Sequence, residues 1–462
     1  MGDARRVAPS VGIVGGGVLG MTLAWRLRQR GFAVTVIEGA PSTGGLTSPQ
    51  SIGEYTWDRF YHVTLQSDLN LRALLGEIGL DHLLRWETTR TGFYVDGNLY
   101  SMSSSFDFLR FPPLSLVDKG RLAATILLAS RIKEWRRLEA IPVTDWLRRW
   151  SGRRTFDRIW LPLLKSKLGD NYRLASAAFI WAIIARMYAA RRSGLKRESF
   201  GYVEGGYDTV LRRFAERLEE SGVEIACGQA VAQVTNTHDG AVVTLAGGTV
   251  RRFDRVVVTI PCPRVAALCP QLTDAERERL GRVVYQGIVC ASLLLKRPLA
   301  GYYVTNITDA WVPFTAVIEM TALVDRARFG GNSLVYLPRY LAQDDPEWAR
   351  SDEEVREEFL AALERMYPDF RRDDVLAFHV SRVRYVLAVS TLDYSTVALP
   401  PVRTSLSNVF IANSAQIANG TLNVNETIGL ANTQAAYLAH TFSDQPDARS
   451  ASGPHLAAVS AA

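Results

Sequence analysis

Val11-Gly12-Ile13-Val14-Gly15-Gly16-Gly17-Val18-Leu19-Gly20 joins an apolar run to a G-x-G-x-x-G turn at Gly15, Gly17 and Gly20. A helical pattern follows through Met21, Leu23, Ala24 and Leu27 to Arg30, and Gly31 closes it. Ala33-Val34-Thr35-Val36-Ile37 then reads as a second strand, ending in Glu38. Strand, glycine turn, helix, strand and terminal acid make up a dinucleotide-binding unit. Gly15 allows the tight turn, Gly17 lets backbone approach a pyrophosphate, and Gly20 lets helix and strand pack closely. Val18 and Leu19 lie in the first helical turn, whose free N–H groups and partial positive charge suit that pyrophosphate. Glu38 follows Gly15 by 23 residues. A carboxylate there accepts hydrogen bonds from both ribose hydroxyls and repels a 2′-phosphate, which disfavours NADP.

The next residues, Gly39-Ala40-Pro41-Ser42-Thr43-Gly44-Gly45-Leu46, carry a second glycine pair. This resembles the extended motif of the FAD-binding superfamily that holds protoporphyrinogen oxidase, flavin amine oxidases, phytoene desaturases and UDP-galactopyranose mutase. In that family the segment runs along the pyrophosphate toward the flavin, so the resemblance implies FAD. It continues at Phe200-Gly201-Tyr202-Val203-Glu204-Gly205-Gly206-Tyr207, which is similar to the family's returning glycine-pair segment. Val231 matches the position whose backbone meets the adenine. Asp254 to Pro261 matches the strand ending in a proline near the cofactor, and Asn413 ends the last strand. The C-terminal motif departs from the glycine-rich family form, with Asn423-Val424-Asn425-Glu426-Thr427 in its place.

The resemblance spans residues 10–440. It implies an α/β fold: a Rossmann-like FAD-binding domain of glutathione-reductase type, interleaved with a mixed sheet plus helical substrate domain. The FAD-binding domain is expected to be discontinuous, over residues 10–100, 200–275 and 401–442. The substrate domain takes 101–199 as its helical part and 276–400 as its sheet part. The Ser/Ala/Pro-rich end, 443–462, reads as a disordered tail, and residues 1–9 as a loose one.

Composition bounds the rest. The chain has 462 residues, 47% apolar, enough for two intertwined domains. Its longest central apolar run, Leu122 to Ser130, is too short to span a bilayer. The first apolar stretch is the glycine-turn strand itself, which argues against an export signal. Cys227, Cys262, Cys269 and Cys290 form no C-x-x-C pair and read as reduced thiols of a cytoplasmic protein. Net charge is +6, yet residues 101–200 hold 20 Lys and Arg against 8 Asp and Glu. That local excess suggests an anionic partner: a phosphorylated substrate, or a lipid surface met peripherally. No nucleic-acid module and no metal-binding spacing is visible, and oligomeric state is left open.

Glu54 to His62 alternates as a strand leading to Ser67-Asp68, either of which could cap a helix from Leu69 to Ile78. Thr91 to Tyr100 reads as a hairpin turning at Asp96-Gly97. Helices are expected near 116–135, 143–150, 156–168, 175–190, 208–221, 352–366 and 426–440. Strands are expected at 288–295, 302–305, 312–319, 334–340 and 408–413.

Two places could carry chemistry. The resemblance puts the N-terminus of the C-terminal helix at the flavin pyrimidine, where Asn425, Glu426 and Thr427 would sit and Asn425 could act as its cap. Free N–H groups there stabilise negative charge on reduced flavin. No Cys or His precedes that helix, so FAD is expected to be noncovalent. The second place is Trp57 to His62, the candidate active-site wall, with Tyr61 and His62 positioning substrate or moving a proton. Amine oxidases hold a lysine on a strand facing the flavin; the matching position here is Cys290, with Lys296 at the strand edge. Tyr285, Tyr302, Tyr303, Glu319, Tyr336, Arg339 and Tyr385 are weaker candidates for the wall, and Arg59 reads as a partner for Asp58. The implied function is an FAD-dependent oxidoreductase taking hydride from a substrate C–H, the substrate being small or lipid-linked. The alternative is a non-redox flavoenzyme like UDP-galactopyranose mutase, acting on a nucleotide sugar.

Overall fold

The computed structural model describes residues 8–191, 199–418 and 421–444. Most of the two expected tails lies outside them. Five short strands form a parallel sheet in the order Val409–Ile411, Arg255–Val258, Ser10–Val14, Ala33–Ile37, Glu224–Ala226. Parallel strands need crossovers, and the chain supplies helices for them. Val18–Arg28, Gly206–Glu220 and Val424–Asp444 cover one face through Met21, Leu23, Phe214, Ile428 and Leu438. A three-stranded antiparallel meander, Val231–Thr237, Gly240–Leu245 and Val250–Phe253, covers the other through Val234, Val243 and Phe253. Gly12 is required here: a Cβ on it would stand 2.7 Å from the Phe253 ring.

The second unit is a seven-stranded sheet. Its order is Val375–Ala388, Tyr285–Leu295, Ser333–Leu341, Ala316–Glu319, Val304–Ile307, Thr91–Val95, Asn98–Ser101. The hairpin at the far edge turns at Asp96 and Gly97, both with positive φ, as the sequence suggests. It is hydrogen-bonded to Val304–Ile307, so the expected boundary at residue 100 cuts through this sheet. Every residue of Tyr285–Leu295 is buried, because both faces are covered. Val289, Ala291, Leu293 and Leu295 pack toward the helix Asp352–Met366. Ile288, Cys290 and Leu294 pack toward the segment 52–65. The 14-residue edge strand Val375–Ala388 has no counterpart in the sequence reading. Its mixed, half-exposed pattern hides the apolar alternation that betrays an inner strand.

Helices Leu116–Arg131, Val143–Ser151, Leu161–Leu168 and Ala177–Arg191 form the helical part, with a π-helical turn at Phe156–Trp160. Ser104 and Ser115 each close a capping box, with Asp107 and Asp118 as the third residues in. The strand expected to reach His62 stops at Asp58, where its partner Pro49–Ile52 begins. Residues 59–63 are therefore irregular, and His62 stands in a loop.

The tightest backbone contact lies in the glycine turn. A Cβ on Gly20 would fall 2.0 Å from the Gly15 carbonyl oxygen. Gly20→Ala is expected to destabilise the chain by about 2–4 kcal/mol, as for other severe overpacking. Urea unfolding of the variant without added cofactor measures it.

Candidate active site

Four backbone segments meet at the end of the first strand. Gly15 has φ +113° and starts the turn. Gly17 is the N-cap of Val18–Arg28, in extended conformation, and nothing lies within 4 Å of where its Cβ would be. The first helical turn, with Val18 and Leu19, therefore opens onto free space beside Gly17. The second glycine pair wraps the first: the Gly44 N–H donates to the Gly16 carbonyl at 2.9 Å, and Gly44 pairs with Gly17. Gly44 and Gly45 both have positive φ. Leu46, just beyond, packs on the cluster under the large sheet.

Glu38 ends the second strand as expected. Its carboxylate accepts from the Gly16 N–H at 2.6 Å and the Ala40 N–H at 2.8 Å. These bonds fix the side chain and leave acceptor capacity on each oxygen. The Glu38 carbonyl takes the Gln229 N–H at 2.8 Å, and Gly39 abuts Ala230. The structure thus gathers Gly15, Gly17, Gly20, Glu38, Gly39, Gly44, Gly45 and Val231 into one cradle.

Asn413 is buried at the end of the last parallel strand. Its Nδ2 donates to the Ile260 carbonyl at 3.0 Å and its Oδ1 accepts from the Ala415 N–H at 3.1 Å. The side chain is occupied in tying two strand ends together.

The C-terminal helix starts at Val424, earlier than expected, and the cap assignment changes with it. Asn423 Oδ1 accepts from the Glu426 N–H at 3.0 Å, while the Thr427 hydroxyl donates to the Asn423 carbonyl at 2.8 Å. Asn423 caps the helix. Asn425 turns away and accepts from the Asn70 and Leu71 N–H groups at 2.9 and 3.2 Å, capping the neighbouring helix Leu69–Glu77. A residue two positions inside a helix cannot cap it, because its own backbone is already helical.

Beside these two helix starts lies a buried charged group. Asp68, 4% exposed, accepts from the Leu65 N–H at 2.8 Å and is held by Arg186 at 3.1 Å. Burial pushes its carboxyl up from the usual range; Arg186 opposes this, and the nearby Glu426 charge adds to it. Arg186 comes from Ala177–Arg191, and a lone charge inside that apolar run was the available signal.

A small cavity is lined by Trp57, Asp58, His62, Gly206, Tyr207 and Met320. Asp58 turns to Tyr207 and His62 rather than Arg59: its Oδ1 takes the Tyr207 N–H at 2.7 Å and its Oδ2 stands 3.7 Å from His62 Nδ1. His62 Nδ1 and Trp57 Nε1 are buried with no hydrogen-bond partner. The His62 ring leans on Tyr207 at 4.9 Å.

The wall above is phenolic. Tyr61 and Tyr340 share a hydrogen bond at 2.9 Å between hydroxyls, and Tyr61 lies against Tyr336. Burial, then the Tyr340 hydroxyl, holds the Tyr61 phenol well above its ordinary pKa, so it stays neutral. Tyr303, Tyr336 and Cys290 belong to the same cluster, and burial pushes the Cys290 thiol up. Lys167 Nζ stands 5.0 Å from the Tyr340 ring centre, a cation the sequence reading did not single out.

Other wall candidates are used elsewhere. Glu319 accepts from the Leu299, Ala300 and Gly301 N–H groups and folds that loop. Arg339 joins Glu347 and Glu358. Tyr302 lies under Arg90, and Tyr285 and Tyr385 pack together beyond the parallel sheet.

Residues 20–428 match the family of flavin containing amine oxidoreductases. The chain belongs to that family. It is an FAD-dependent oxidoreductase by membership. The carotenoid phi-ring synthase of Streptomyces griseus is 26% identical over 79% of this chain and 75% of its own length. A coproporphyrinogen III oxidase of Mycobacterium tuberculosis is 27% identical over 55% of this chain, which spans 60% of that protein. The solved UDP-galactopyranose mutase, in its reduced form, shares the fold with a TM-score of 0.72 at 14% identity, covering 94% of each chain. Among the described residues no helix is long and apolar enough to cross a membrane.

Replacing Asn425 by Ala removes the acceptor for two N–H groups of the Leu69–Glu77 helix. A loss of about 1 kcal/mol is expected in urea unfolding, with Asn425→Asp restoring most of it.

Proposed function

We propose that this chain binds FAD noncovalently and oxidises a C–H bond of a large, apolar, unsaturated substrate. The observation that carries the first half is the open backbone at Gly17, walled by Gly44-Gly45 and set at a helix N-terminus. In this reading Gly15, Gly17, Val18, Leu19 and Gly20 hold the pyrophosphate, Glu38 the ribose and Val231 the adenine. Leu46, with the helix start at Val424 to Thr427, meets the isoalloxazine. Bound there, the flavin supplies a hydride acceptor at N5.

The wall supports the choice of substrate class. Tyr61, Tyr303, Tyr336 and Cys290 are neutral and largely apolar, and by the sequence resemblance Cys290 takes the position of the amine oxidases' lysine. Planar aromatic surfaces suit an extended unsaturated molecule better than a small charged amine. The names of the polyene- and porphyrinogen-related relatives agree with this choice. A nucleotide diphosphate fits less well, since Arg186 is committed to Asp68. With Nδ1 directed toward Asp58, His62 keeps Nε2 as the atom that takes up or returns a substrate proton. Tyr61 orients substrate through its hydroxyl, itself fixed by Tyr340.

Gly17 and Gly20 separate cofactor binding from folding. Gly17→Leu is expected to fold normally yet purify colourless, because its Cβ starts in open space and the side chain grows into the proposed cofactor's place. Full flavin absorbance in that variant would sink the assignment. For the reaction, anaerobic mixing with polyene or porphyrinogen substrates should bleach the flavin, and His62→Ala should slow bleaching by about 10²–10⁴-fold. Turnover of a nucleotide sugar only after prior reduction would favour the mutase instead.

A further inference from the structure

The helix Leu116–Arg131 buries Leu122 and Ala129 but also buries polar residues and leaves apolar ones outside. Its polar residues Asp118, Lys119 and Thr125 are 7%, 7% and 1% exposed, while Leu116, Val117 and Leu127 are 75%, 68% and 42% exposed. The buried polar groups are all satisfied. Asp118 closes the capping box with Ser115 and faces Arg154 at 3.6 Å. Lys119 Nζ donates to the Leu109 carbonyl at 2.7 Å, and the Thr125 hydroxyl meets Ser151 at 3.0 Å. The exposure of the apolar residues is therefore built into the packing. The outward stripe at helical spacing reads Val117, Arg121, Ala124, Leu127, Arg131: apolar residues and cations, with no acid.

The neighbouring turn extends the same surface. Phe106 and Leu109 of the short helix Ser105–Arg110 are 57% and 58% exposed, and the Arg110 guanidinium lies 4.0 Å over the Phe106 ring. Phe111 and Leu114, fully buried between the two helices, anchor the Pro112-Pro113 link and hold both helix ends in place.

We propose that this surface docks on an anionic lipid bilayer. Leu116, Val117, Leu127, Phe106 and Leu109 enter the headgroup–acyl boundary, and Arg110, Arg121 and Arg131 meet lipid phosphates. An apolar stripe rimmed by Arg, on a helix too polar to insert across a membrane, is the pattern of an interfacial helix. Charge selects the partner. The exposed Arg110, Arg121 and Arg131 beside the apolar residues favour anionic lipid and oppose a second copy presenting the same face. The inference concerns this surface alone and does not depend on the reaction at the flavin.

The test uses the full-length, flavin-loaded protein and two vesicle preparations: phosphatidylcholine alone, and phosphatidylcholine with about 30% phosphatidylglycerol. The wild type should sediment with the anionic vesicles only, and less so as salt rises. The triple variant Leu116→Ser, Val117→Ser, Leu127→Ser should bind at least roughly tenfold more weakly. Arg121→Glu with Arg131→Glu should do the same without touching the apolar stripe. Unchanged flavin absorbance and far-UV circular dichroism keep misfolding out of the result. Equal sedimentation of wild type and variants would overturn the proposal, as would a wild type that ignores anionic vesicles. A dimer dispersed by the same serine substitutions in analytical ultracentrifugation would also overturn it, assigning the face to a second copy. Flavin bleaching by substrate in detergent is read separately, so docking and chemistry fail independently.

Discussion

A missing Cβ at a few glycines is the constraint on which the rest of the structure depends. Gly20 lets the first helix sit directly on the Gly15 carbonyl, and Gly12 lets the first strand pass beneath Phe253. Gly44 and Gly45 then fold a second turn onto Gly17 in backbone conformations closed to most residues. These contacts set the height of the first helix above the sheet. They also set where the chain leaves toward Leu46 and the large sheet. Gly17 differs from these neighbours, because no protein atom lies within 4 Å of where its Cβ would stand, at a helix N-terminus paired with Gly44.

How much of this was legible depends on whether the information is local. The glycine turn, the acid at position 38, the hairpin at Asp96-Gly97 and the helix Asp352–Met366 each follow from residues close in sequence. Local sterics and capping decide them. The cap at Asn425 was misread because its partners, Asn70 and Leu71, lie some 350 residues away. The strand through His62 was misread for another reason. Alternation continues past Asp58, but a strand lasts only as long as its partner, and Pro49–Ile52 spans four residues. The edge strand Val375–Ala388 went unread because a half-exposed edge lacks an apolar period.

Arg186 and Asp68 show what such distant pairs contribute. Arg186 belongs to the helical part, while Asp68 precedes a helix packed on the nucleotide-binding sheet. Asp68 is out of water and Arg186 only partly so, and the cost of burial nearly offsets their attraction, so the pair adds little net stability. Breaking it is different, because a lone buried charge costs about 3–5 kcal/mol. The pair therefore ties the helical part to the turn before Leu69–Glu77 at one defined point. The same helical part holds Leu161–Leu168, whose Lys167 lies over the Tyr340 ring. The neutral wall and the cofactor cradle come from segments far apart in the chain. The Arg186–Asp68 pair links two such distant segments, and its misplacement costs more than its formation gains.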